Sequence, residues 1–232
     1  MEGLGFRLAA TLLFSGVVVS LLAGSLHADS ASANDHPAAF AAYAASGIWT
    51  WVHLGQFVGM ALLLVGLLVL LSALRVPYGA AAWTGRIGAV LAAAALALYA
   101  ALQAVDGVAL KHAVDAWAVA AGPEKSIRFA TAEGIRWIEW GMRSYQSFLL
   151  GTALILAGLV IVLARGISRG IGVLMGLSGL AYVAQGWVIG AEGFSAANAV
   201  PTLSGIVLTV VWSVWLLISA WRMREEQTQP PK

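Results

Sequence analysis

Nine polar side chains interrupt an otherwise apolar chain: His53, Gln56, Gln103, Asp106, Glu139, Arg143, Gln146, Gln185 and Glu192. Their types fit three kinds of chemistry. An imidazole beside a carboxylate can pass a proton, so His53 with Asp106 and Glu139 forms a candidate acid/base set. Carboxylates, amides and a guanidinium can together hold a polar head group. Imidazole and carboxylate can also ligate zinc, iron or copper, and the metal candidates are His53, His112 and Asp115. Against a metal, the chain has no HExxH motif and no Glu-x-x-His pair, and Lys111 beside His112 repels a cation. A bis-histidine haem needs two ligands at one height, whereas His112 falls about 10 Å beyond the end of its crossing. His27 and His36, in a Ser/Ala/Asn tract, are poorer ligands than His53. No motif indicates a cofactor. Ser144 and Ser147 lie at the right level for a nucleophile, but serines in membrane helices usually bond back to the preceding turn.

The composition decides what must position these residues. Of 232 residues, 60% are hydrophobic and 10% charged, with a mean hydropathy of +0.85; a soluble domain carries about 25% charged residues. The chain is therefore expected to be integral to a lipid bilayer. Its net charge of +2 is spread along the sequence with no basic stripe, which argues against nucleic acid. With no cysteine there is no disulfide, thiolate metal site or thiol nucleophile.

About 20 apolar residues cross a bilayer, and six such runs are present, at about 8–26, 51–73, 85–105, 145–164, 170–191 and 202–221. Each spanning backbone must satisfy its own hydrogen bonds, and these runs are too long for barrel strands, so the fold class is all-α: a polytopic bundle of six transmembrane helices. The first run also resembles a secretory signal ending at SLHADS, and cleavage there would leave five. Arg7, Arg75, Arg86, Arg165, Arg169, Arg222 and Arg224 flank the runs on one side, which the positive-inside rule makes cytoplasmic, along with both termini. A single domain over 1–224 is expected, with 225–232 a disordered tail.

Between crossings, Asp35 and Pro37 signal a short helix over about 36–46. Helical spacing continues past the third run and precedes the fourth, through Lys111 with Asp115 and through Arg136, Glu139 and Arg143. Helices three and four should thus extend outward as a hairpin turning near Gly122 and Pro123. The pairs Gly55/Gly59, Gly172/Gly176 and Gly186/Gly190 have the spacing of close helix packing within the bundle. Trp49, Trp51, Trp140, Trp187 and Trp221 read as interfacial anchors.

The phrases WVHLGQFVGM, LQAVDGVALKHAVDAW, IRWIEWGMRSY and QGWVIGAEGFS, within about 40–194, resemble a group of bacterial multi-pass membrane proteins known only as a domain of unknown function. The resemblance implies a bacterial cytoplasmic (inner) membrane location and no activity. On the residues themselves, four crossings bring polar groups to one outer level. That layer is either a hydrogen-bonded network that ties helices together, with Asp106 or Glu139 paired to Arg136 or Arg143, or a pocket for a small ligand or lipid. The pocket implies an accessory, sensory or carrier component. Acid/base chemistry at the same residues would make it an enzyme, and a pure network would make it a structural subunit. Expected partners are the lipid bilayer, the ligand, and a membrane protein or a second copy of the chain.

Overall fold

Six apolar helices and two short ones account for nearly all of the structure, a computed structural model that describes residues 3–28, 30–74, 76, 78–164 and 167–228, with side chains to 222. Helix α1 spans Gly3–Ser25, α2 His36–Ala45, α3 Trp49–Ala73 and α4 Ala80–Ala104. A π-helical turn, Val105–Leu110, carries α4 directly into α5, Lys111–Val119. Helix α6 spans Pro123–Leu163, α7 Arg169–Glu192 and α8 Ala199–Thr228, the last entered through a 3₁₀ turn, Ala196–Asn198. Six of these segments are long and apolar enough to cross a membrane: α1, α3, α4 through α5, α6, α7 and α8. The protein is an all-α membrane bundle.

Local signals place the polar elements. The Asp35 carboxylate accepts the Ala38 amide and Pro37 occupies the first turn, so α2 starts where a capping oxygen and a fixed φ favour it. Gly122 adopts φ 57, a left-handed conformation costly to other residues, and Pro123 follows as the first residue of α6. The hairpin of α5 and α6 therefore turns at the expected dipeptide. At 41 residues α6 is about 60 Å long, twice the hydrocarbon thickness, so its first half projects beyond the apolar zone. At the other terminus α8 continues to Thr228, through positions 225–228 expected in the tail; residues 229–232, Arg75, Arg165 and the Arg224 side chain lie outside what is described.

The crossings close into a ring. Helix α1 packs on α3, α3 on α4, α4 on α6, α6 on α7, α7 on α8, and α8 back on α1. Small residues make the tightest seams. A Cβ on Gly179 would sit 2.5 Å from the Gly151 carbonyl oxygen and 2.9 Å from the Ile155 amide, and one on Gly16 would sit 2.5 Å from the Leu63 amide. Backbones at α6/α7 and α1/α3 thus touch directly. Gly179→Ala is expected to lower stability by about 1–3 kcal/mol through forced separation of α6 and α7, read as a drop in the melting temperature of the detergent-solubilised protein. At the end that bears Arg7, Arg86, Arg169 and Arg222, apolar side chains fill the ring: Phe6, Leu13, Leu64, Leu67, Ala92, Leu154, Ile161, Ile171 and Trp212. At the other end they give way to a cavity.

Candidate functional site

The ring cannot fill itself at its polar end because the side chains there are amides, carboxylates and phenols. A cavity of about 550 Å³ results, walled by residues from seven helices. Gln56 and Met60 come from α3, Tyr99, Leu102 and Gln103 from α4, and Asp106 from the π turn. Helix α6 supplies Arg136, Glu139, Arg143, Gln146 and Leu150, α7 supplies Tyr182 and Gln185, and α8 supplies Thr202 and Ile206. Helix α1 adds Ser20, Leu21 and Ser25, with His27 in the turn after it. The roof is a second apolar cluster, formed by Ala39, Phe40 and Tyr43 of α2 with Leu110, Val114 and Ala132.

Helix α2 is held over the opening by Lys111, whose ammonium donates to the carbonyls of Tyr43 (3.2 Å) and Ala44 (2.9 Å) and to Asp115 Oδ1 (2.7 Å). A cation at the carboxyl end of a helix satisfies orphan carbonyls and complements the helix dipole. Lys111→Ala is expected to cost about 1–3 kcal/mol and to speed proteolysis between residues 30 and 48, checked by a protease time course.

The π turn sets the position of Asp106. Widening one turn frees backbone carbonyls that α4 would otherwise pair, and α3 takes them: Trp49 Nε1 donates to the Asp106 carbonyl (2.9 Å) and Thr50 Oγ1 to that of Gly107 (3.1 Å). Close approach of α3 also requires Gly107, since a Cβ there would lie 2.6 Å from His53 Cβ. His53 Nε2 then lies 3.1 Å from Asp106 Oδ2, while its Nδ1 sits 2.8 Å from the Trp49 carbonyl. The imidazole and carboxylate are in ion-pair range, yet neither His53 Nε2 nor Asp106 Oδ1 has a well-aligned hydrogen bond among the described residues.

Deeper on α6, Arg136 Nη1 donates to Glu139 Oε2 at 2.6 Å and Nη2 donates to the Tyr43 hydroxyl at 3.2 Å. Rings of Tyr43, Trp140 and Phe194 surround the guanidinium. Arg143 lies over the ring of Tyr99. Gln103 Nε2 reaches Gln56 Oε1 at 3.4 Å, which leaves Gln103 Oε1 without a partner among the described residues. Gln146 is 0% exposed, and neither its oxygen nor its nitrogen has a hydrogen-bond partner there. Gln185 differs: Oε1 accepts from Ser147 and Nε2 donates to Thr202, so this amide ties α6, α7 and α8 together.

Of the nine residues singled out in the sequence, Gln56, Gln103, Asp106, Glu139, Arg143, Gln146 and Gln185 line the cavity. His53 stands one layer behind, against Asp106. Glu192 does not converge: at the exposed end of α7 it accepts from Ser195 Oγ at 2.9 Å. The metal grouping of His53 with His112 and Asp115 also fails, because His112 is exposed on α5 and Asp115 is held by Lys111. Instead His27, His53 and Asp106 each offer a ligand atom within 4.8 Å of the others.

Three further expectations need correction. Trp49 is no interfacial anchor, being 1% exposed and packed at tilted angles against the rings of His53, His27 and Tyr43. Trp140 packs edge-on to His36 and Phe194, whereas Trp51, Trp187 and Trp221 remain on the surface. Ser144 and Ser147 bond across to α7, at Gly186 and Gln185, and not to their own helix. The contributions of Ser20, Tyr99, Tyr182 and Thr202 were missed, although a hydroxyl in an apolar run was a visible signal.

No family model, curated protein or solved structure matches this chain.

Proposed function

We propose that this protein resides in a bacterial cytoplasmic membrane with both termini inside and binds a small amphipathic ligand or lipid head group in the outward-facing cavity, as an accessory, sensory or carrier component. The observation that carries this reading is Gln146, a fully buried amide at the cavity wall with neither polar atom satisfied among the described residues, joined by orphaned atoms of Gln103, Asp106 and Arg136. Burying an amide without a hydrogen bond costs roughly 1–3 kcal/mol, so groups left open around a cavity are groups reserved for an occupant. A network built only to tie helices would close on itself, as Gln185 does. Polar atoms at one end and Met60, Leu102, Leu150 and Ile206 along the walls favour a ligand with a polar head and an apolar body. Arg7, Arg86, Arg169 and Arg222 at the opposite end support the orientation.

The enzyme reading is less well supported. His53 and Asp106 have acid/base geometry, but the serines at their level are engaged with α7.

Native mass spectrometry of protein gently extracted from its own membrane tests the proposal. The expected result is a chain carrying a non-covalent mass of lipid or metabolite size, lost in Gln146→Leu while the fold is retained. A chain of bare mass from both proteins, with no thermal stabilisation by a total lipid extract, would remove the ligand reading in favour of the structural one.

A further inference from the structure

His27, His53 and Asp106 come from three separate parts of the chain: the turn after α1, the first turns of α3, and the π turn between α4 and α5. Tertiary structure alone brings them together. His53 is 2% exposed and the Asp106 side chain 12%, so two of the three are withdrawn from bulk water. One ligand atom from each lies within 4.8 Å of the other two, and the imidazoles of His27 and His53 are 5.3 Å apart, centre to centre.

The hydrogen bond at the far side of His53 makes the cluster more than proximity. Nδ1 lies 2.8 Å from the Trp49 carbonyl, an acceptor only, so Nδ1 carries a hydrogen and donates. In the neutral ring Nε2 then presents a lone pair, 3.1 Å from a carboxylate oxygen that presents another. Two lone pairs face each other, and the arrangement calls for a cation between them. A histidine that donates one nitrogen to a backbone carbonyl and turns the other toward a carboxylate has the outer-shell arrangement of metal-binding imidazoles. With a second imidazole in reach, three donors converge where one proton would need only two.

We infer that His27, His53 and Asp106 form a binding site for one divalent transition metal of the zinc class, with its remaining coordination open to the cavity that His27 and Asp106 line. Two imidazoles and one carboxylate suit zinc, cobalt or iron and not calcium or magnesium, which prefer oxygen shells. In a tetrahedral zinc site donors stand roughly 3.3 Å apart. His53 and Asp106 already meet that spacing, and His27, half-buried in a turn, closes the remainder. Of the neighbouring cations, Lys111 is bound to Asp115 and the end of α2, and Arg136 donates to Glu139 although its charge still reaches Asp106. The site shares Asp106 with the ligand reading above but includes neither Gln146 nor Gln103, and His27 belongs to the metal site alone.

The test uses full-length, tag-free protein in lipid nanodiscs, stripped with a chelator and titrated with Co²⁺, followed by Zn²⁺ displacement. The expected result is saturation at one equivalent, visible d–d absorption that Zn²⁺ abolishes, and at least tenfold weaker affinity in His27→Gln and in Asp106→Asn. His112→Gln should bind as the parent does. Circular dichroism verifies the fold, and if Asp106→Asn does not fold, His27→Gln decides the matter because it replaces a half-buried turn residue. Absence of saturable binding at one equivalent, or equal affinity in His27→Gln, would overturn the site.

Discussion

Glu139→Ala is expected to cost about 3–5 kcal/mol, because it strands the Arg136 guanidinium in a buried position without its counter-charge. Both partners are nearly inaccessible, and their 2.6 Å contact is buried beneath Tyr43 of the roof. The Tyr43 hydroxyl, three aromatic faces and the more distant Asp106 carboxylate soften the loss, but none among the described residues replaces the direct Glu139 contact. Removing both charges together should behave differently. Arg136→Met with Glu139→Leu is expected to regain most of the stability, since replacing a whole buried pair by apolar groups of similar volume is commonly neutral or stabilising. Denaturant or thermal unfolding in detergent measures Glu139→Ala beside a double-mutant cycle of the parent, Arg136→Met, Glu139→Leu and the double variant. If Glu139→Ala unfolds like the parent, the guanidinium has another anion or reaches water, and the described geometry is wrong. If the double variant is stable yet no longer takes up ligand, the pair serves the cavity.

Gln146→Leu should move stability the other way, upward by about 1–3 kcal/mol in the ligand-free protein, because a buried amide with no partner is replaced by an apolar side chain of similar size. The same change removes the groups that would meet a head group. Higher melting temperature together with lost binding is the signature of a residue kept for an occupant. A fall in stability would instead show that Gln146 has a structural partner, and the cavity would lose its main argument. Measuring both in delipidated and lipid-supplemented protein separates them, since a bound ligand stabilises the parent by mass action and not the variant.

The six crossings could be read from the chain because the bilayer imposes a length and polarity that no other environment requires: about 20 apolar residues without charge. The projecting hairpin was equally legible, from the helical spacing of Lys111 with Asp115 and the Gly122–Pro123 break. So was the level of the polar layer, since depth follows directly from position along a helix. The direction in which a side chain points about its helix was not legible. It decided that Glu192 faces away, that His53 stands behind Asp106, and that Trp49 is core.

Sequence by itself therefore determined the membrane bundle, its hairpin and the height at which polar groups gather, all of which depend on local composition and a fixed rise per residue. Only the tertiary structure decided that α1 and α8 close the ring, that a π turn swings Asp106 toward His53, and that His27 joins them from a distant turn. The physical reason is that these depend on helix rotation and on close approaches at Gly16, Gly107 and Gly179, where the absence of a side chain lets segments far apart in sequence meet.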